Sequence, residues 1–157
     1  MRRLVVLPVV TLSMLAITAC EGRGRNTQTQ NVSNPRPVHC TIMADGPKRN
    51  AEPATTIVAR TRYRCDNPGA ETLTLALRLE RRSGSTWVSV KADTVTARGA
   101  DTHAQFFKYR SHPVTLACAA GQFRTVVDWT KVSRGKTTKG TVRSGPATDP
   151  CAPRLFS

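Results

Sequence analysis

The chain has 157 residues, with 24 Lys and Arg against 10 Asp and Glu for a formal net charge of +14, 39% hydrophobic residues and 5% aromatic. That length suits one domain rather than two, and the apolar share suffices for a packed core, which excludes a chain disordered throughout. No run reaches the roughly 18 apolar residues that a lasting membrane helix in the mature protein would need, which makes a multi-pass architecture unexpected.

Read from its start, the chain opens on a short basic segment, Met1-Arg2-Arg3, followed by an apolar run from Leu4 to Ala19 that is interrupted by Pro8, Thr11, Ser13 and Thr18. A basic start, an apolar stretch too short and too polar to remain as a span, and small residues at its end have the form of a secretory signal peptide over residues 1–19. The tetrad Ile17-Thr18-Ala19-Cys20 resembles the lipobox of bacterial lipoproteins, in which an aliphatic residue and two small ones precede a cysteine. Ile17 stands where leucine is usual, and Thr18 where alanine or serine is usual. The resemblance covers residues 1–20 and implies cleavage between Ala19 and Cys20. It also implies a thioether-linked diacylglycerol on Cys20, with an acyl group such as palmitate on its amine. More than one acyl chain gives stable anchoring where a single chain does not, so the implied location is the extracytoplasmic face of the bacterial cell membrane. The alternative is an ordinary secretory signal that releases a secreted protein with a spare thiol at Cys20.

Cysteine parity favours the lipoprotein. The five cysteines are Cys20, Cys40, Cys65, Cys118 and Cys151, and an odd thiol is awkward in an oxidising compartment. With Cys20 assigned to lipid, four remain, which allow three pairings. No C-x-x-C spacing occurs, so neither a zinc ribbon nor a thioredoxin-type motif is written here, and no metal is expected. Proximity in sequence suggests Cys40–Cys65 and Cys118–Cys151. These bridges would close loops of about 25 and 33 residues, each contributing about 3–4 kcal/mol on the loop-entropy estimate.

Between Cys20 and the first strand lies EGRGRNTQTQNVSNPRP, residues 21–37, whose only hydrophobic residue is Val32. This composition reads as a flexible linker with a root-mean-square reach of roughly 20–25 Å. The folded domain is then residues 38–157.

From Val38 onward the dominant signal is alternation with period two. Leu73, Leu75, Leu77 and Leu79 are separated by Thr74, Ala76 and Arg78, so one face of that strand is core and the other solvent. The same pattern puts Ile57, Ala59, Thr61, Tyr63 and Cys65 inward and Val58, Arg60, Arg62 and Arg64 outward. Further strands are expected at Val38–Met43, Thr86–Val90, Thr94–Ala97, Ala104–Tyr109, Phe123–Thr130 and Thr137–Val142. Turns are expected at Asp45-Gly46-Pro47, Asp66-Asn67-Pro68-Gly69, Ser83-Gly84, Arg98-Gly99-Ala100-Asp101 and Ser133-Arg134-Gly135-Lys136. The 21 threonines fit a strand-rich chain, because β-branched side chains favour extended backbone. Seven to nine short strands at this spacing indicate an all-β, antiparallel immunoglobulin-like β-sandwich behind the signal peptide and linker.

The segment Ala120-Gly121-Gln122-Phe123-Arg124 resembles the start of a late immunoglobulin-like strand, with Phe123 in place of the usual tyrosine. The missing hydroxyl removes a tyrosine corner. The C-terminal pattern runs from a cysteine and a glycine through Phe123-Arg124-Thr125 to Trp129, then a basic hairpin and a closing cysteine. It is similar to small secreted β-sandwich proteins of actinobacteria that have no assigned activity.

Catalytic motifs are sparse. His39, His103 and His112 sit at no spacing that would converge two on one metal. Asp101 and His103 could join a serine on paper, but no G-x-S-x-G or comparable nucleophile context accompanies them. No P-loop or dinucleotide fingerprint occurs, and no cofactor or small-molecule substrate is indicated. A non-enzymatic protein is therefore expected. Trp87 and Trp129 are expected in the core, because each lies within a strand pattern.

Charge is the remaining signal. Arg60, Arg62 and Arg64 share one strand face, and Lys131, Arg134, Lys136, Lys139 and Arg143 cluster around one hairpin; together they are the candidate basic contact surface. Nucleic acid is not an expected partner, because the chain is exported and aromatic residues are not interleaved with the basic ones. A protein, anionic lipid headgroups or an acidic wall polymer suits the envelope better. The leading expectation is an anchored envelope lipoprotein that binds a protein or anionic envelope component. The alternative is a blocking or inhibitory lipoprotein that sequesters an incoming hydrolase or phage component.

Overall fold

The computed structural model describes residues 37–105 and 108–152; the expected signal peptide, Cys20 and the linker up to residue 36 lie outside the described residues. Eight strands follow in order: β1 Cys40–Arg49, β2 Thr56–Cys65, β3 Thr72–Ser83, β4 Thr86–Arg98, β5 Arg110–Ala117, β6 Gln122–Ser133, β7 Lys136–Arg143 and β8 Ala147–Thr148. A short 3-10 turn, Gly99–Thr102, follows β4. One sheet has three strands in the order β1-β2-β5, and the other has the path β4-β3-β6-β7 with β8 added beside β6. Every strand pairing is antiparallel. After the β3–β4 hairpin the chain crosses to lay β5 beside β2, then returns to lay β6 beside β3. That is the Greek-key connection of an immunoglobulin-like sandwich.

The alternation read from the sequence sets the core. Leu73, Leu75, Leu77 and Leu79 are wholly buried on the inner face of β3 and meet Ile57, Ala59 and Tyr63 of β2 and Val114 of β5. Each such leucine contributes about 1.5–3 kcal/mol of burial. Register carries the same face across to β6, where Phe123, Thr125, Val127 and Trp129 stand opposite Arg81, Leu79, Leu77 and Leu75. Phe123 is wholly buried at the start of this late strand, and Trp129 packs against the core. Across the next pairing, Trp129 faces Gly140, where a Cβ would come within 2.7 Å of the indole Cζ2. The glycine makes room for the ring.

Both suggested disulfides are formed. Cys40–Cys65 joins directly opposed residues of β1 and β2, and Cys118–Cys151 ties the end of β5 to the segment after β8. The first therefore staples two strands of one sheet rather than the two sheets.

Four expectations change. Asp45-Gly46-Pro47 is not a chain reversal but a bulge within β1, where the register shifts between Asp45 and Lys48. The two strands expected at 86–90 and 94–97 are one, β4, with a register shift opposite Leu79 and Glu80 that leaves Val90 out of the ladder. That bulge reverses the parity of what precedes it, because one extra residue exchanges the two faces. Trp87 would otherwise share the inward parity of Val95 and Ala97; instead it turns outward beside Arg82. Finally, Ala104, Gln105, Lys108 and Tyr109 are not in a strand, and the strand begins at Arg110 and passes through Pro113. β5 is an edge of its sheet, where a residue without an N–H is tolerated.

Candidate contact surface

The expected basic residues divide between two faces. Arg60, Arg62 and Arg64 project from the outer side of β2, on the three-stranded sheet. Arg62 pairs with Asp45 of β1 at 2.7 Å. The hydrogen bond and charge of that carboxylate raise the pKa of the already basic guanidinium. The guanidinium carbons of Arg62 and Arg64 lie 5.8 and 5.1 Å from the centroid of the Tyr109 ring, within cation–π range.

The hairpin belongs to the other sheet. Arg134 and Gly135 form its two-residue turn with φ of 55° and 67°, the type I′ geometry that matches the twist of flanking strands. Arg134 carries a Cβ in a region suited to glycine, and the Glu71 carboxylate steadies the turn by accepting from the N–H groups of Arg134 and Gly135. Lys136 closes the turn opposite Ser133; Lys139 and Arg143 then point outward from the edge strand β7, opposite Thr130 and Val126. These cations and the arginine stripe thus sit on opposite outer faces, and the single basic surface expected from sequence does not form. Lys131 is also reassigned. It stands opposite Leu73 on the inner side of β6 and donates from Nζ to the Val38 carbonyl at 2.7 Å.

The outer face of the five-stranded sheet has an ordered electrostatic layout. Glu80 accepts from Arg124 at 2.7 Å and lies 3.5 Å from Arg78, which pairs in turn with Asp128. Thr141 donates to the other Asp128 oxygen at 2.6 Å. That hydroxyl first, and then Arg78, hold the Asp128 carboxyl below the usual range, against the opposing effect of burial. Arg124 also covers the Trp87 ring at 4.4 Å, which accounts for the outward indole. The carboxylates of this face are therefore engaged with Arg78 and Arg124. Among the described residues, no carboxylate lies within ion-pair distance of Arg134, Lys136, Lys139 or Arg143.

Alternation in the sequence did not isolate one further feature, a floor of short side chains between the charged groups. From β4 to β7, one cross-strand row reads Thr96, Thr74, Thr130, Lys139, and the next reads Thr94, Ala76, Asp128, Thr141. A third row reads Arg98, Thr72, Val132, Thr137. The signal was present as threonines at the non-leucine positions of β3 and at alternate positions of β4, but which strands lie side by side is not local information.

The histidines have separate partners. His103 approaches the Cys65 carbonyl through Nδ1 at 3.0 Å, and Asp101 lies 3.7 Å from Arg110, so the two are not paired with each other. His112 meets Asp93 at 2.9 Å, linking β5 to β4 at the edge of the sandwich, and this contact holds the Asp93 carboxyl below its ordinary range. His39 lines a shallow hollow with Ile42, Trp129 and Val142. Among the described residues, no three His, Cys, Asp or Glu side chains are grouped to hold a metal ion. Comparisons with protein-family models, curated proteins and solved structures found no match to the chain.

Proposed function

We propose that the chain is an exported bacterial lipoprotein, anchored through Cys20, whose sandwich is a non-enzymatic binding module for an anionic component of the cell envelope. The observation that carries this reading is the set Arg134, Lys136, Lys139 and Arg143 on the β6–β7 hairpin and edge strand. Among the described residues none of these four cations makes an ion pair, and they outnumber the carboxylates near them, Glu71 at the turn and Asp128, which feels the charge of Arg143. An excess of cations on one rim attracts polyanions and loses that attraction as salt rises. The lipobox resemblance and cysteine parity support the anchor: the four other cysteines form two disulfides and leave Cys20 for lipid.

The anchor is tested by intact mass of protein from the membrane fraction, beside Cys20→Ser. A diacylglyceryl adduct on a chain starting at Cys20, absent from the variant, is the expected result; an unmodified chain in the medium would overturn it. The binding surface is tested by salt-dependent retention on purified envelope material. Arg134→Glu with Lys136→Glu, Lys139→Glu and Arg143→Glu should abolish retention. Arg60→Glu with Arg64→Glu, on the opposite face, should leave it intact, and the reverse pattern would move the site to β2.

A further inference from the structure

The outer face of the five-stranded sheet combines three properties: short side chains, free hydroxyls and cations at both rims. The Thr72, Thr94, Thr130 and Thr137 side chains make no hydrogen bond to any other described residue, whereas Thr74 and Thr96 satisfy each other at 3.1 Å and Thr141 is held by Asp128. Four such hydroxyls, each able to donate and accept, thus lie on one floor, exposed at Thr94, Thr130 and Thr137 and half-buried at Thr72. Arg98 stands at one rim, on β4, and Lys139 and Arg143 at the other, on β7. Three strand spacings separate the rims, about 14 Å. Arg78 pairs with Asp128, which also feels the charge of Arg143, so the net positive charge of this face lies towards its edges.

We infer that this face binds an anionic glycan, with the threonine hydroxyls hydrogen-bonding its sugar hydroxyls and Arg98, Lys139 and Arg143 neutralising its uronate or phosphodiester groups. The inference deepens the proposed envelope-binding function and rests on its assignment of the β7 cations. Charge complementarity selects an anion, and the floor selects among anions. A membrane-binding face would offer apolar groups for insertion, yet the exposed large hydrophobic residues, Val88 and Val90, lie beyond the β4 bulge and outside these rows. A protein-docking face would centre on large aromatic anchors, and the rows contain Thr, Ala and Val instead. A neutral glycan would call for an aromatic stacking platform, whereas Trp87 is covered by Arg124.

The test uses the full chain with disulfides intact and four probes: polygalacturonate, inorganic polyphosphate, dextran, and vesicles containing phosphatidylglycerol. Binding is measured by calorimetry at low and moderate salt. Wild type should bind polygalacturonate and polyphosphate and not dextran. Thr72→Val, Thr94→Val and Thr130→Val combined keep the β-branched shape and remove three hydroxyls. That variant should lose about tenfold or more in affinity for polygalacturonate while retaining polyphosphate binding. Lys139→Glu with Arg143→Glu should lose both polyanions, and an unchanged thermal midpoint shows that each variant is folded. Equal polygalacturonate affinity for the valine variant and wild type would overturn the glycan inference while leaving the cationic surface standing. Tighter binding to the vesicles than to polygalacturonate would also overturn it, in favour of a lipid headgroup. Failure of wild type to bind any polyanion would overturn both the inference and the envelope-binding function.

Discussion

A single hydroxyl holds two loops together at one end of the sandwich, and its removal has a calculable cost. Thr102 is wholly buried. Its Oγ1 accepts from the Ala70 N–H at 2.7 Å and donates to the Gly99 carbonyl at 2.8 Å, joining the β2–β3 connection to the turn after β4. The loops touch so closely that a Cβ on Gly69, at φ of 98°, would lie 2.2 Å from the Gly99 oxygen. Thr102→Val preserves shape and removes both hydrogen bonds. Ala70 is itself wholly buried, so its orphaned N–H costs about 1–3 kcal/mol, and the lost bond to Gly99 adds about 0.5–1.5 kcal/mol. Thr102→Ser keeps the oxygen and loses one methyl group, about 1 kcal/mol. Equilibrium unfolding in urea, with disulfides intact, should give an unchanged slope and a midpoint that falls about two- to fourfold further for valine than for serine. A valine variant as stable as the serine variant would refute this account of the hydroxyl.

Gly140→Ala should force the Trp129 indole aside and cost about 1–3 kcal/mol as overpacking, with a red-shifted tryptophan emission; Gly46→Ala, which meets nothing within 4 Å, is the control. Replacing Cys118 and Cys151 by serine opens a bridge of sequence separation 33 and should lower stability by about 3.7 kcal/mol on the chain-entropy estimate, read from the guanidinium midpoint. For Asp128, whose native pKa is depressed, the stabilisation is present above the unfolded value near 3.9 and is lost as pH falls through the native value. The stability difference between wild type and Asp128→Asn should therefore be constant from neutral pH to about pH 5 and vanish in stronger acid. A difference that does not diminish as pH falls through the acid range would refute the ionic origin.

Much of the fold was legible because its determinants are local. The leucines of β3 and the inward residues of β2 announce their faces by parity, since successive side chains on a strand point to opposite sides. The turn at Arg134-Gly135 and the nearest-neighbour disulfides were likewise readable within short stretches. β5 was not, because whether Pro113 ends a strand depends on whether that strand is an edge, and the sheet order decides that. Trp87 was misplaced for a related reason: the bulge opposite Leu79 and Glu80 changes parity without a signature in the residues themselves.

The surface shows the division most clearly. The sequence alone established charge, parity, the outward direction of Arg60, Arg62 and Arg64, and the clustering of Lys139 and Arg143 around one hairpin. Lys131, grouped by its charge with the hairpin cations, is turned inward opposite Leu73 by the extension of β6 beyond Thr130. Only the tertiary structure decided that the arginine stripe and the hairpin occupy opposite faces, that Glu80 and Asp128 are engaged by Arg78 and Arg124, and that threonines of β3, β4 and β6 form one floor. Local alternation tells each strand which side is dry. Which strands become neighbours is settled by the joint burial of residues far apart in the chain, and a binding surface is made of neighbours.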